Sequence, residues 1–225
     1  MKKYIPIFLA VALALLFVSC EKESAGVTKI TYYPVFSIKG DNPLVVTIGN
    51  SFVDPGFSAT MAGKDITDKV EVSSNVDTNT MGVYTVSYSA TNEDGYSYAA
   101  SRKVIVANPG HVDNVYSADS KMGSRHYEGC ITVITLDPQG YYVIDDLCGG
   151  FYYYGRYPGY EPTYNFHAKT AFILNQDYTI KVIGKWNWYF VNSFDYGNVV
   201  GGLNPSTGVI SYNFDGLQVV LTPVA

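Results

Sequence analysis

Apolar and polar positions alternate along Gly82-Val83-Tyr84-Thr85-Val86-Ser87-Tyr88-Ser89-Ala90. Tyr84, Val86, Tyr88 and Ala90 share one face, and Thr85, Ser87 and Ser89 share the other. This period of two predicts a half-buried strand. Asn92-Glu93-Asp94-Gly95 follows as a turn, because Gly accepts positive φ and Asn or Asp caps nearby backbone. A second strand is expected from about Tyr96 to Val106. Earlier strands are expected at Leu44–Ile48 and Val70–Val72, with Asp54-Pro55-Gly56 turning the chain between them. Short strands with turn chemistry about every ten residues predict an antiparallel sandwich.

Asn108-Pro109-Gly110 interrupts strand formation and marks a boundary. Beyond it, strands are expected at Cys130–Leu136, Tyr141–Ile144, Ala171–Leu174, Tyr178–Ile183, Trp186–Val191, Val209–Phe214 and Leu217–Leu221. Asp137-Pro138-Gln139-Gly140 fits a type I turn, and Asp215-Gly216 a two-residue hairpin loop. No segment sustains an apolar period of 3.6, so the chain is expected to be all-β. The second half is expected to form a second antiparallel sandwich or a flattened barrel. The expected organisation is a leader over 1–19, a tether over 20–29, a sandwich over 30–107 and an aromatic-rich β domain over 108–225.

Lys2 and Lys3 precede an apolar run from Ile5 to Val18. As a helix this run spans about 21 Å, short of the roughly 30 Å hydrocarbon core, so it reads as a signal segment. Its ending, Leu16-Phe17-Val18-Ser19-Cys20, resembles the lipobox of bacterial lipoproteins. The resemblance implies cleavage before Cys20 and its acylation, giving an anchor in outer-membrane lipid. Glu21-Lys22-Glu23-Ser24-Ala25-Gly26 is similar to the acidic surface-export signal of Bacteroidetes lipoproteins. It implies exposure at the cell surface, with periplasmic retention as the alternative.

Asp41-Asn42-Pro43, Phe52-Val53-Asp54-Pro55-Gly56-Phe57, Asp65-Ile66-Thr67-Asp68-Lys69-Val70 and Asn75-Val76-Asp77-Thr78-Asn79-Thr80 lead into the alternating strand. Together these motifs resemble the immunoglobulin-like domains of bacterial surface proteins. The resemblance implies a spacer or adhesive module without a shared catalytic site. Tyr141 to Leu147, Gly149-Gly150-Phe151-Tyr152 and Leu203 to Ile210 resemble the C-terminal domain of small Bacteroides surface lipoproteins. These often lie beside polysaccharide-uptake systems, which implies a context and not a ligand.

Composition agrees with a cored β protein: of 225 residues, 47% are hydrophobic, 15% aromatic and 16% charged. Loss of Lys2 and Lys3 with the leader takes the formal net charge from −5 to −7. That acidity, with no Lys/Arg cluster, argues against a nucleic-acid partner.

The second half holds 14 of the 21 Tyr and both Trp. Sugars present C–H faces and hydroxyls, so a sugar site needs flat rings beside polar groups. Trp186 and Trp188 would share one strand face, as would Tyr152 and Tyr154. Tyr157 and Tyr160 sit among Pro and Gly, where a surface loop exposes rings. These six are the candidate glycan-binding residues, with Asn187, Arg156, Glu161 and Asp195 as polar company. The alternative for each ring is ordinary β-core packing.

Cys130 and Cys148 are either bridged or two buried thiols; a bridge would close a loop of about eighteen residues. Asp54, Asp65, Asp68 and Asp77 lack the spacing of a calcium loop and are expected to cap turns. His126, Cys130, Cys148 and His167 lack zinc-ligand spacing, so neither metal nor cofactor is expected. Asp145 and Asp146 would point to opposite strand faces, and no nucleophile or phosphate-loop motif is present. The expectation is a non-catalytic, lipid-anchored surface protein that binds polysaccharide. The alternatives are a structural or adhesive protein contacting other envelope proteins, and a glycan-cleaving enzyme using Glu128, Glu161 or Asp195.

Overall fold

The computed structural model describes residues 30–160, 162–186, 188–190 and 198–225. The expected leader, Cys20, the tether, Glu161, Asn187 and Asp195 lie outside the described residues.

The first half is a two-sheet sandwich. One sheet joins β1 (Val35–Ile38), β3 (Phe57–Met61) and β4 (Lys64–Asp65) in that order. The other runs β2 (Leu44–Thr47), β7 (Ser97–Ala107), β6 (Gly82–Thr91) and β5 (Glu71–Ser74). Strands β6 and β7 form the hairpin expected from Asn92–Gly95. The β2–β7 pair is parallel, so the sandwich is not wholly antiparallel as expected. Val86, Tyr88 and Val104 fill the core, and Phe57 packs on Tyr88 with ring centroids 4.5 Å apart.

Arg102 is fully buried there and donates to Asp54 Oδ1 at 3.1 Å, to the Gly56 carbonyl at 3.2 Å and to the carbonyls of Asp41 and Lys39. A buried guanidinium is tolerable only with this many partners. Tyr88 donates to the other Asp54 oxygen at 2.7 Å, so the Asp54-Pro55-Gly56 turn serves to hold a buried cation. Asp65 and Asp77 accept backbone N–H bonds from Thr67 and Asn79, and act as turn caps.

Among the described residues, the second half is one eight-stranded antiparallel sheet. Its strands are β8 (Val115–Met122), β9 (Arg125–Leu136), β10 (Tyr142–Ile144), β11 (Thr170–Leu174), β12 (Ile180–Lys185), β13 (Val200–Leu203), β14 (Ile210–Phe214) and β15 (Leu217–Pro223). The spatial order is β12-β11-β10-β9-β8-β15-β14-β13. The two edges meet through an antiparallel bridge between Thr179 and Gly202, and the Leu203 N–H donates to the Tyr178 carbonyl at 3.0 Å. The sheet is therefore a nearly closed barrel. Alternation seals it: Leu217, Val219 and Leu221 are buried while Gln218 and Val220 face out.

Three expected details change. Phe151–Arg156 forms one π-helical turn and not a strand. Residues 188–190 leave the sheet, so Trp186 and Trp188 share no strand face. The strand β8 was not expected, because Ser-Ala-Asp-Ser-Lys carries too little apolar alternation.

Between the two halves, Ile105, Ala107 and Val115 form a small core with Met81, Ile131, Val133 and Val224. Asn114, fully buried, accepts the Asn108 and Val115 N–H groups at 2.8 Å and donates to the Ala225 carbonyl at 3.1 Å. The junction is thus packed and hydrogen-bonded.

Candidate functional site

The segment after β10 is organised around Asp146. Its buried carboxylate accepts N–H bonds from Cys148 (2.9 Å), Gly150 (2.9 Å) and Ala168 (3.0 Å). Burial raises its pKa despite these bonds and the nearby His167. Asp145 accepts the Val133 N–H at 3.0 Å, and burial pushes its carboxyl up to about 6. Both carboxylates are thus bound to backbone, where they shape the loop.

Gly150, at φ +75°, starts the π-turn. The Tyr157 N–H donates to the Tyr152 carbonyl at 2.9 Å, and the Gly155 N–H to the Gly150 carbonyl at 3.2 Å. These five-residue steps define the π form. Phe151 enters the barrel core and meets Tyr127 edge-on at 5.1 Å. Gly155 lies flat on Tyr127; a Cβ there would sit 2.4 Å from the ring.

The turn and the segments that follow it build three tiers of rings. The lowest comprises Phe166 and Trp188, only 4% and 3% exposed. The Trp188 indole N–H donates to the Phe166 carbonyl at 2.7 Å. Above them are half-buried Tyr152, Tyr157 and Phe190, with Tyr157 5.0 Å from Phe166 and Phe190 5.2 Å from Trp188. The outer tier comprises Tyr160, Tyr164 and Tyr189, exposed by 53%, 40% and 56%. Tyr164 lies 6.2 Å from Tyr160 and 5.3 Å from Tyr189, so the three rings form one continuous surface.

The six rings singled out in sequence therefore separate. Tyr160 lies on the outer surface, and Tyr152 and Tyr157 support it. Trp188 is a buried strut, its N–H donated to the Phe166 carbonyl beneath the surface. Trp186 is exposed beside Lys169, whose amine is 4.8 Å from the ring centroid. Among the described ring contacts it does not join the three-tyrosine surface. Tyr154 is exposed on another side, against Tyr153 at 4.6 Å and His167 at 6.2 Å. The helical turn separates Tyr152 from Tyr154, where a strand would have aligned them. Arg156 stacks over Tyr157 at 5.4 Å.

Tyr164, Phe166, Tyr189 and Phe190 were not anticipated. Tyr164-Asn165-Phe166 and Tyr189-Phe190 carried a signal in their density of rings, but their meeting depends on the barrel. Cys130 and Cys148 are buried, unbridged thiols, and burial raises the pKa of both. Cys130 faces the core, its sulfur 4.0 Å from the Gly150 carbonyl oxygen, whereas His126 faces out. His126 and Cys130 thus fall on opposite sides of β9 and cannot share a metal.

Residues 73–223 match the model of a C-terminal-domain family, a span that covers more than half of the chain. The chain belongs to that family. Within the family member described here, residues 36–106 match the bacterial surface protein Ig-like domain. Its fold is similar to that of the lipoprotein BT2262 from Bacteroides thetaiotaomicron, at 29% identity and a TM-score of 0.57, covering 84% of this chain and 100% of the other. A Clostridium perfringens ZmpB structure comprising its catalytic and CBM51 domains matches at 19% identity and a TM-score of 0.30, covering 83% of this chain and 15% of the other. A second ZmpB structure, with CBM51-2 bound to GlcNAc, matches at 22% identity and a TM-score of 0.28, covering 80% and 29%. Those two values are too low to bear on fold or ligand. No curated protein matches the chain significantly.

Proposed function

We propose that the chain is a lipid-anchored, non-catalytic protein of the bacterial surface that binds glycan through Tyr160, Tyr164 and Tyr189. The observation that carries this reading is the outer tier of three exposed rings, held over a buried Phe166–Trp188 base. A ring on a rigid base loses little freedom when a sugar stacks on it. Ring contacts contribute roughly 0.5–1.5 kcal/mol each, so three rings with a few hydrogen bonds reach about 4 kcal/mol, or millimolar affinity. Many copies on one cell turn weak contacts into lasting ones.

The anchor is supported by Leu16-Phe17-Val18-Ser19-Cys20 and by similarity to a Bacteroides lipoprotein. A non-catalytic role is supported by the backbone bonds that engage Asp145 and Asp146. A glycan array is the first test: binding by the parent and its loss in Tyr160→Ala/Tyr189→Ala are expected.

A second, adhesive reading has its own observation. Exposed Tyr33, Tyr96 and Tyr98 gather on the sandwich, with Tyr33–Tyr96 centroids 6.2 Å apart and Phe36–Tyr98 6.4 Å. Contact with an envelope protein would use that side, and would survive the Tyr160/Tyr189 substitutions.

A further inference from the structure

Strand β9 changes phase at a bulge. Asp119 pairs with Glu128, Lys121 with His126, and Ala118 with Cys130, which leaves Gly129 as the extra residue at φ +73°. Ahead of Gly129, His126 and Glu128 face solvent while Tyr127 packs on the core. Beyond it, Cys130, Thr132 and Ile134 are buried. Bulges re-aim side chains in this way. Here the bulge keeps two ligand-bearing residues on the outer face, Glu128 directly across from Asp119 and His126 two residues before Glu128.

The ligand atoms of Asp119, His126 and Glu128 all lie within 4.8 Å of one another. His126 Nε2 is 2.6 Å from Asp119 Oδ1 and 3.4 Å from Glu128 Oε1. Two carboxylates therefore converge on a single ring nitrogen, whose one N–H can point well at only one of them. A divalent cation in that proton's place would bond to all three. Tetrahedral bonds of about 2.0–2.2 Å put ligand atoms roughly 3.3–3.6 Å apart, so the 3.4 Å pair already fits and the 2.6 Å pair opens by about 0.7–1.0 Å to admit the ion. One imidazole with two carboxylates suits Zn²⁺ better than Ca²⁺ or Mg²⁺, which prefer oxygen alone. His126 and Glu128 also line an open cleft of about 600 Å³ with Val83, Lys103 and Tyr154, leaving room for a water ligand. Lys121 shares this face and opposes a cation.

We propose that Asp119, His126 and Glu128 form a binding site for a divalent transition cation, with Zn²⁺ the preferred ion. The site is independent of the glycan reading.

Calorimetric titration of the purified protein with Zn²⁺, Ca²⁺ and Mg²⁺ tests it. One saturable Zn²⁺ site is expected, at least tenfold tighter than either other ion. His126→Ala should abolish it, Asp119→Asn and Glu128→Gln should each weaken it at least tenfold, and Lys121→Gln should strengthen it. Because the three side chains are exposed, the metal-free variants should melt like the parent, and Zn²⁺ should raise the melting temperature of the parent but not of His126→Ala. No saturable Zn²⁺ binding, equal affinity for Ca²⁺, or Zn²⁺ binding that persists in folded His126→Ala would each overturn the site.

Discussion

The indole N–H of Trp188 donates to the Phe166 carbonyl at 2.7 Å, and both side chains are buried beneath the tyrosine surface. This bond ties the segment after β12 to the segment after the π-turn. Trp188→Phe keeps a ring but removes the donor and leaves a buried carbonyl unpaired. The expected loss is about 1–3 kcal/mol, read by chemical denaturation. A loss below the experimental error would mean the bond does not hold the surface together.

Gly155 tests the seating of the π-turn. A methyl at 2.4 Å from the Tyr127 ring cannot be accommodated without movement. Gly155→Ala is expected to destabilise by about 1–3 kcal/mol. Combined with Tyr127→Ala, the cost should be clearly less than the sum of the two singles, because the clash is gone. Strict additivity would contradict the contact.

The acidic residues set the pH profile. Asp145 has its carboxyl pushed from 3.8 up to about 6, chiefly by burial. Between those values the folded chain holds a proton that the unfolded chain has released. Stability therefore falls as pH rises from about 4 to about 6. Asp146 is shifted in the same sense. Asp145→Asn keeps an oxygen for the Val133 N–H, so it should flatten this decline and be more stable than the parent at pH 7. Asp54 works oppositely: burial raises its pKa, but bonds from Gly56, Tyr88 and Arg102 outweigh this and hold it below 3.8. Its contribution is present above pH 3.8 and is lost as pH falls through the lowered value. Denaturation midpoints from pH 3 to 8 check both; a parent curve that rises from pH 4 to 6, with Asp145→Asn unchanged, would contradict the Asp145 assignment.

The proposed anchor rests on Cys20. Labelled palmitate should enter the parent and not Cys20→Ala, measured by fluorography of whole cells. Label in both forms, or in neither, would contradict lipidation at that thiol.

Much of the architecture was legible in the residues. Period-two alternation marked β6, the strands expected at Val209–Phe214 and Leu217–Leu221 correspond to β14 and β15, and Asp137–Gly140 and Asp215–Gly216 turn as their chemistry demands. Less was legible where tertiary packing overrides local pattern. Phe151 to Tyr154 read as strand, yet Gly150 in the left-handed region and the Asp146 cap turn the chain into a π-turn. Trp186 and Trp188 read as a pair, yet β12 ends at Lys185, ahead of both, and their fates diverge. The phase change at Gly129 hid the convergence of His126 and Glu128 on Asp119, because the bulge has no periodic signature. Tyr160, Tyr164 and Tyr189 meet across a gap in sequence that only the barrel closes.

Affinity electrophoresis through a panel of polysaccharide gels tests the central claim most directly. The parent is expected to be retarded by at least one glycan, and Tyr160→Ala/Tyr189→Ala to run at its glycan-free mobility while keeping the parent's melting temperature. A parent that runs unretarded in every gel, or a folded double variant retarded as strongly as the parent, would contradict glycan binding by the tyrosine surface.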